Sequence, residues 1–67
     1  MSAPTVSTPA PRLLAVEDAA VVLGLGRSMT FEEIRRGRLR TVRSGRRRLV
    51  PTEYVEEYIE LLKREAA

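Results

Sequence analysis

The 67-residue chain contains no cysteine and no histidine. It therefore has no disulfide, no thiolate or imidazole to hold zinc, no haem attachment pair and no Cys–His catalytic couple. Aromatic residues are scarce: Phe31, Tyr54 and Tyr58 are the only three. Stacking platforms for RNA or single-stranded DNA thus have little support. No apolar run approaches the roughly 18 residues of a membrane span, and the N-terminus lacks a charged segment followed by an apolar one. There is no internal repeat, no phosphate-binding glycine pattern, and no nucleophile–base set or convergent carboxylate pair. A chain of this length supports one small core, of about 3–5 kcal/mol net stability. These absences predict a cytoplasmic, non-enzymatic chain with no catalytic residue, no metal and no cofactor.

What the sequence does have is positive charge in one place. Eleven of its twelve basic residues are arginine. Residues 27–52 hold nine of them (27, 35, 36, 38, 40, 43, 46, 47 and 48) against Glu32 and Glu33, a net charge of +7. Residues 1–26 carry −1 and residues 53–67 carry −3. A focused cationic field in an otherwise neutral or acidic chain is the electrostatic footprint of a polyanion partner. A membrane surface would call for a basic amphipathic helix with bulky apolar residues, and Gly37 and Gly45 interrupt this stretch.

Periodicity divides the chain. Residues 1–11 carry Pro4, Pro9 and Pro11 and no charged side chain; they read as a disordered arm preceding a domain at 12–67. Leu13 and Leu14 are expected to anchor the chain to the core. Val16, Ala19, Ala20 and Leu23 recur at i, i+3, i+4 and i+7 and predict a first helix over about 16–23. Its small alanines would let another helix approach closely, and Gly24 fits the left-handed position that ends it. A short turn with Leu25 as an apolar plug leads to a second helix over about 27–36, closed by Gly37. Phe31 and Ile34 are its expected inward residues, with Met29, Thr30 and Leu39 as further candidates. Two short helices joined by a glycine-containing turn read as a helix-turn-helix.

The period then changes. Residues 39–43 alternate, Ser44-Gly45 is a turn candidate, and 46–50 return as a second strand. Like charges facing each other across this hairpin oppose its formation, which phosphate would relieve. Pro51 ends the hairpin and Thr52 is a suitable N-cap. Val55, Tyr58, Ile59 and Leu62 then form one face of a third helix over about 53–65. Glu56, Glu57 and Glu60 lie outward, so this helix is expected to face away from nucleic acid.

The run LLAVEDAAVVLGLGRSMTFEEIRRGRLRTVRSGRRRLVPTEYVEEYIELL, with EDAAVVLGL, RS, IRRGRLRTVRSGRRR and VPTEYVEEYI as its carrying pieces, resembles the excisionase-family helix-turn-helix domains, which are MerR-like winged helices. The likeness covers about residues 12–62. It implies a mostly α fold with a small β-hairpin: a helix-turn-helix, a two-stranded wing and a C-terminal helix. It implies double-stranded DNA as partner, with helix 2 in the major groove and the wing on the adjacent backbone or minor groove. It further implies a recombination directionality factor that bends DNA beside an attachment site and directs a tyrosine integrase toward excision, several copies assembling cooperatively on adjacent sites in the nucleoid. A small transcriptional regulator is the alternative. A third reading is an interaction module docking a partner through acidic helix 3. The sequence departs from the family where Ala15 replaces a usual Thr cap, where Gly26 replaces Ser, at Thr30, and at Glu32 and Glu33.

The candidate DNA-binding residues on helix 2 are Arg27, Ser28, Met29, Thr30, Glu32, Arg35 and Arg36. On the wing they are Arg43, Ser44, Arg46, Arg47 and Arg48. Arg27 and Ser28 open helix 2, where amides favour phosphate and side chains reach base edges. Met29 and Thr30 either touch thymine methyls or pack inward. Glu32 either accepts from cytosine N4 or is turned away. Strand alternation keeps the four wing arginines from sharing one surface.

Overall fold

The computed structural model describes residues 10–66. Residues 1–9 of the expected arm lie outside this range; Ala10 and Pro11 are exposed and irregular. Six elements follow: β1 (Leu13–Ala15), α1 (Val16–Leu23), α2 (Arg27–Arg35), β2 (Val42–Ser44), β3 (Arg47–Pro51) and α3 (Thr52–Ala66). The architecture is the expected winged helix-turn-helix, with one addition. The sheet has three strands, ordered β1-β3-β2, all antiparallel. β1 pairs Leu13 with Pro51, Leu14 with Val50 and Ala15 with Leu49. The Thr52 amide extends this ladder by donating to the Arg12 carbonyl at 2.8 Å. The wing's second strand is therefore fixed to the entry of the domain.

α1 forms where its periodicity placed it. Val16, Ala19 and Ala20 are buried, and the absence of bulk at the alanines admits α2, α3 and the sheet to close packing. Its N-cap Ala15 has extended backbone and no side-chain cap, as has Gly26 before α2. Glu17 and Asp18 in the first turn of α1 instead complement the helix dipole. Both helices end in Schellman-type closures through left-handed Gly24 (φ 74°) and Gly37 (φ 78°). Leu25 N donates to Ala20 O at 2.9 Å, and Arg38 N to Glu33 O at 3.0 Å.

The core gathers Val16, Ala19, Leu39, Val50, Val55 and Tyr58, with Leu14, Leu23, Leu25, Ile34, Tyr54, Ile59, Leu61 and Leu62 packed around them. Leu39 and Val50 are fully buried, each contributing about 1.5–3 kcal/mol. Leu39 does so from a loop, since the wing strand begins only at Val42. The hairpin turn is also one residue later than its composition indicated. Ser44 pairs with Arg47, which leaves Gly45-Arg46 as the two-residue loop. Thr52 lies within α3 rather than before it, and its hydroxyl accepts from Arg12 Nε at 3.4 Å.

One inward assignment in α2 changes. Phe31, expected in the core, is exposed at the surface, whereas Thr30 is fully buried. Thr30 turns inward because its hydroxyl is satisfied within the helix, donating to Gly26 O at 2.9 Å. Among the described residues no helix is long and apolar enough to cross a membrane.

Candidate nucleic-acid interface

α2 and the wing approach each other across an open cleft of about 490 Å³ lined by Phe31, Ile34, Arg35, Thr41 and Arg48. It brings together two sequence candidates from different elements, Arg35 of α2 and Arg48 of β3. Phe31 and Ile34 add apolar surface to the same lining. Phe31 and Thr41 were not among the sequence candidates. Arg27 also stacks over Phe31, its guanidinium carbon 5.7 Å from the ring centroid, so a ring that lines the cleft also carries a cation.

Arg27, Ser28 and Met29 are all exposed at the start of α2. They form an accessible edge at the helix N-terminus, where amides and side chains can meet phosphate or base edges. Thr30, the fourth candidate in this turn, is inaccessible; of its two sequence readings, inward packing is the one realised. Arg35 and Arg36 are exposed, but both donate to Glu32. Arg35 Nη2 bonds one carboxylate oxygen, and Arg36 Nε bonds the other at 3.0 Å.

In the wing, Arg43 faces Arg48 and Ser44 faces Arg47 across the strands. Directly opposed residues share a sheet face, so Arg43 and Arg48 lie on one face and Ser44 and Arg47 on the other. Arg46 occupies the tip. All five residues are exposed. The pair Arg43–Arg48 is the like-charge opposition that the composition of the hairpin implied.

The surroundings of these arginines differ sharply. Of the nine between residues 27 and 52, five have a carboxylate within 4.0 Å: Arg27 with Glu17, Arg35 and Arg36 with Glu32, Arg38 with Glu33 and Glu65, and Arg40 with Glu57. Arg43, Arg46, Arg47 and Arg48 have none among the described residues. The unneutralised charge is therefore on the wing.

Arg38 and Arg40 have structural partners. Arg40 lies over the Tyr54 ring at 4.5 Å and bonds Glu57 at 3.2 Å. Arg38 is the hub of a partly buried network. Its Nε donates to Glu33 Oε1 at 2.6 Å, while Nη1 and Nη2 grip both oxygens of Glu65 at 2.6 and 2.7 Å. Tyr58 donates its hydroxyl to the same Glu33 oxygen at 2.9 Å. The Arg38 guanidinium holds the Glu33 and Glu65 carboxyls below their ordinary range, and burial pushes the Tyr58 phenol up. The network ties the end of α2 to both the middle and the end of α3. Sequence reading treated Glu33 with Glu32 as a departure in helix 2. The signal for its burial was its i, i+3 relation to Thr30, which places both on the inward face.

A family profile described as a helix-turn-helix domain matches residues 13–60. A protein of Saccharopolyspora erythraea, described as a probable excisionase, is 44% identical over 46 residues, covering 69% of this chain and 47% of that protein. The chain thus spans about half the length of this curated relative. No solved structure matches.

Proposed function

The chain belongs to the helix-turn-helix domain family, and on that premise we propose that it is a DNA-bending excisionase, a recombination directionality factor without catalysis of its own. It binds beside an attachment site and directs a tyrosine integrase toward excision. Support for the recombination role comes from its likeness to a probable excisionase. The single observation that carries the DNA-binding geometry is the set of four wing arginines with no carboxylate partner among the described residues, one of which, Arg48, shares a cleft with Arg35 of α2.

In this reading α2 enters the major groove. Arg27, Ser28 and Met29 meet base edges and phosphates. The wing follows the neighbouring backbone or minor groove, and its arginines release counterions from the phosphates they contact. The cleft between them faces the intervening sugar-phosphate strand, with Arg48 on a phosphate and Phe31 and Ile34 toward deoxyribose. Specificity is supplemented by the energy of bending a deformable site. Residues 12–67 form the binding domain, and the uncharged residues 1–11 are an arm outside it. The acidic outer face of α3 points away from DNA, toward an integrase. A domain this small covers few base pairs, so several copies assemble on adjacent sites, in the nucleoid of the cytoplasm.

The test is selection of bound duplexes from a random pool, followed by a gel assay for bending. Direct repeats near one helical turn apart, in bent complexes, are expected. With them, adding an integrase encoded beside this chain should convert an attachment-site substrate to excision products. Inverted half-sites without bending would overturn the excisionase reading in favour of a transcriptional regulator.

A further inference from the structure

Glu32 sits on the helix proposed to read DNA, where a carboxylate repels phosphate. Its two oxygens are occupied from the end of the same helix and its C-cap. Arg35, one turn on at i+3, bonds Oε1, and Arg36 at i+4 bonds Oε2 at 3.0 Å. Ion pairs this exposed add little to stability, so holding the helix together is a poor account of the residue. With both oxygens engaged by guanidinium groups, Glu32 is also poorly placed to accept from a cytosine amine. What the arrangement does change is the charge that α2 presents. One carboxylate offsets two arginines at the C-terminal half of the helix, leaving Arg27, Ser28 and Met29 exposed at the other end.

We infer that Glu32 is a specificity-determining residue: it weakens phosphate contact by the C-terminal half of α2, so that sequence-independent attachment falls to the wing. The inference rests on the DNA-binding reading above. Its physical basis is an asymmetry between two kinds of complex. On random sequence the protein slides until each unneutralised guanidinium meets a phosphate, whereas a preferred site fixes the register through its base contacts. Charge released on α2 therefore strengthens random-sequence binding more than binding at the preferred site. Glu32 suppresses that gain while leaving the base-reading end of the helix unobstructed.

The test compares wild type, Glu32→Gln and Glu56→Gln as full chains. Fluorescence anisotropy titrations from 50 to 200 mM salt would use a random-sequence duplex and the duplex that wild type enriches from a random pool. Glu56→Gln removes the same charge from the exposed face of α3 and controls for net charge. Thermal unfolding confirms that each variant is folded. Freeing about one phosphate contact steepens the slope of log affinity against log salt by about 0.9, equivalent to about threefold across this range. The expected result for Glu32→Gln is that steepening, with tighter random-duplex binding and a smaller ratio of preferred to random affinity. Glu56→Gln should show neither. Selective loss at the enriched duplex would make Glu32 a base reader and overturn the inference. So would unchanged slopes, or equal effects from both variants. If wild type itself binds no duplex, the DNA-binding reading fails first, and the inference with it.

Discussion

The arginines around α2 and those of the wing are the same side chain in the same cationic third of the sequence, yet they meet opposite surroundings. Arg27, Arg35, Arg36, Arg38 and Arg40 each have a carboxylate of the same chain within 4.0 Å. Arg43, Arg46, Arg47 and Arg48 have none among the described residues, and two of them oppose each other across β2 and β3. The first group is partly spent on architecture: Arg38 joins α2 to α3 through Glu33 and Glu65. The second is held in mutual repulsion by a strand pairing that is itself anchored to β1. A count of basic residues locates the field, but the intramolecular partners determine which part of it faces outward.

The comparison breaks most visibly at Arg38. Arg38→Ala should remove about 2–3 kcal/mol of stability by leaving the buried Glu33 carboxylate short of its charged partner, a large share of a core of this size. Urea unfolding measures it; an unmoved midpoint would mean that Arg38 belongs functionally with the wing. Replacing Arg46 and Arg47 together with Ala should do the reverse. The thermal transition stays in place, while duplex affinity falls about tenfold and the salt slope flattens by about 1.8, at 0.9 for each phosphate contact. Unchanged affinity would remove the wing from the interface.

Acid sharpens the same contrast. Glu33 and Glu65 have carboxyls held below their ordinary value of 4.5 by Arg38. Their contribution is complete above that value and is lost as pH falls through it and through the lower folded-state value. The urea midpoint should therefore drop on acidification below about pH 4.5. Replacing both with Gln should flatten that dependence, whereas the Arg46/Arg47 variant should retain it. The smallest expected effect is at the repelling pair. Arg43→Thr should raise the thermal midpoint slightly, by a stabilisation of about 0.2–1 kcal/mol, while weakening DNA binding. A fall in both would show that Arg43 has a structural role.

Local chemistry explains how much of this was legible beforehand. The span of α1 follows from one apolar face of four residues and a closing glycine, both local signals. The helix-turn-helix, the wing and α3 were readable for the same reason. β1 was not: it is three residues long, and its partner Pro51 lies far along the chain from Leu13. The hairpin register slipped by one because Ser44-Gly45 and Gly45-Arg46 are both acceptable turn pairs, and pairing of Val42 with Leu49 selects the second. The exposed candidates on α2 and the wing were readable from charge and position. The exposure of Phe31 was not, since only the cleft beside Thr41 and Arg48 gives that ring a place at the surface. Glu33 was hidden by composition: it is charged, and it is buried because Arg38 and Tyr58 donate to it there; for Thr30 the sequence left two readings open, and an acceptor at Gly26 O allows the inward one.

The position of β2 at the outer edge of the sheet has a separate consequence. An edge strand offers unpaired amides and carbonyls to any other chain, and natural sheets guard against this with short strands and charge. β2 has three residues, and Arg43 stands at its centre opposite Arg48. Two copies meeting edge to edge would stack four guanidinium groups together. The wing thereby carries its own safeguard against cross-β aggregation.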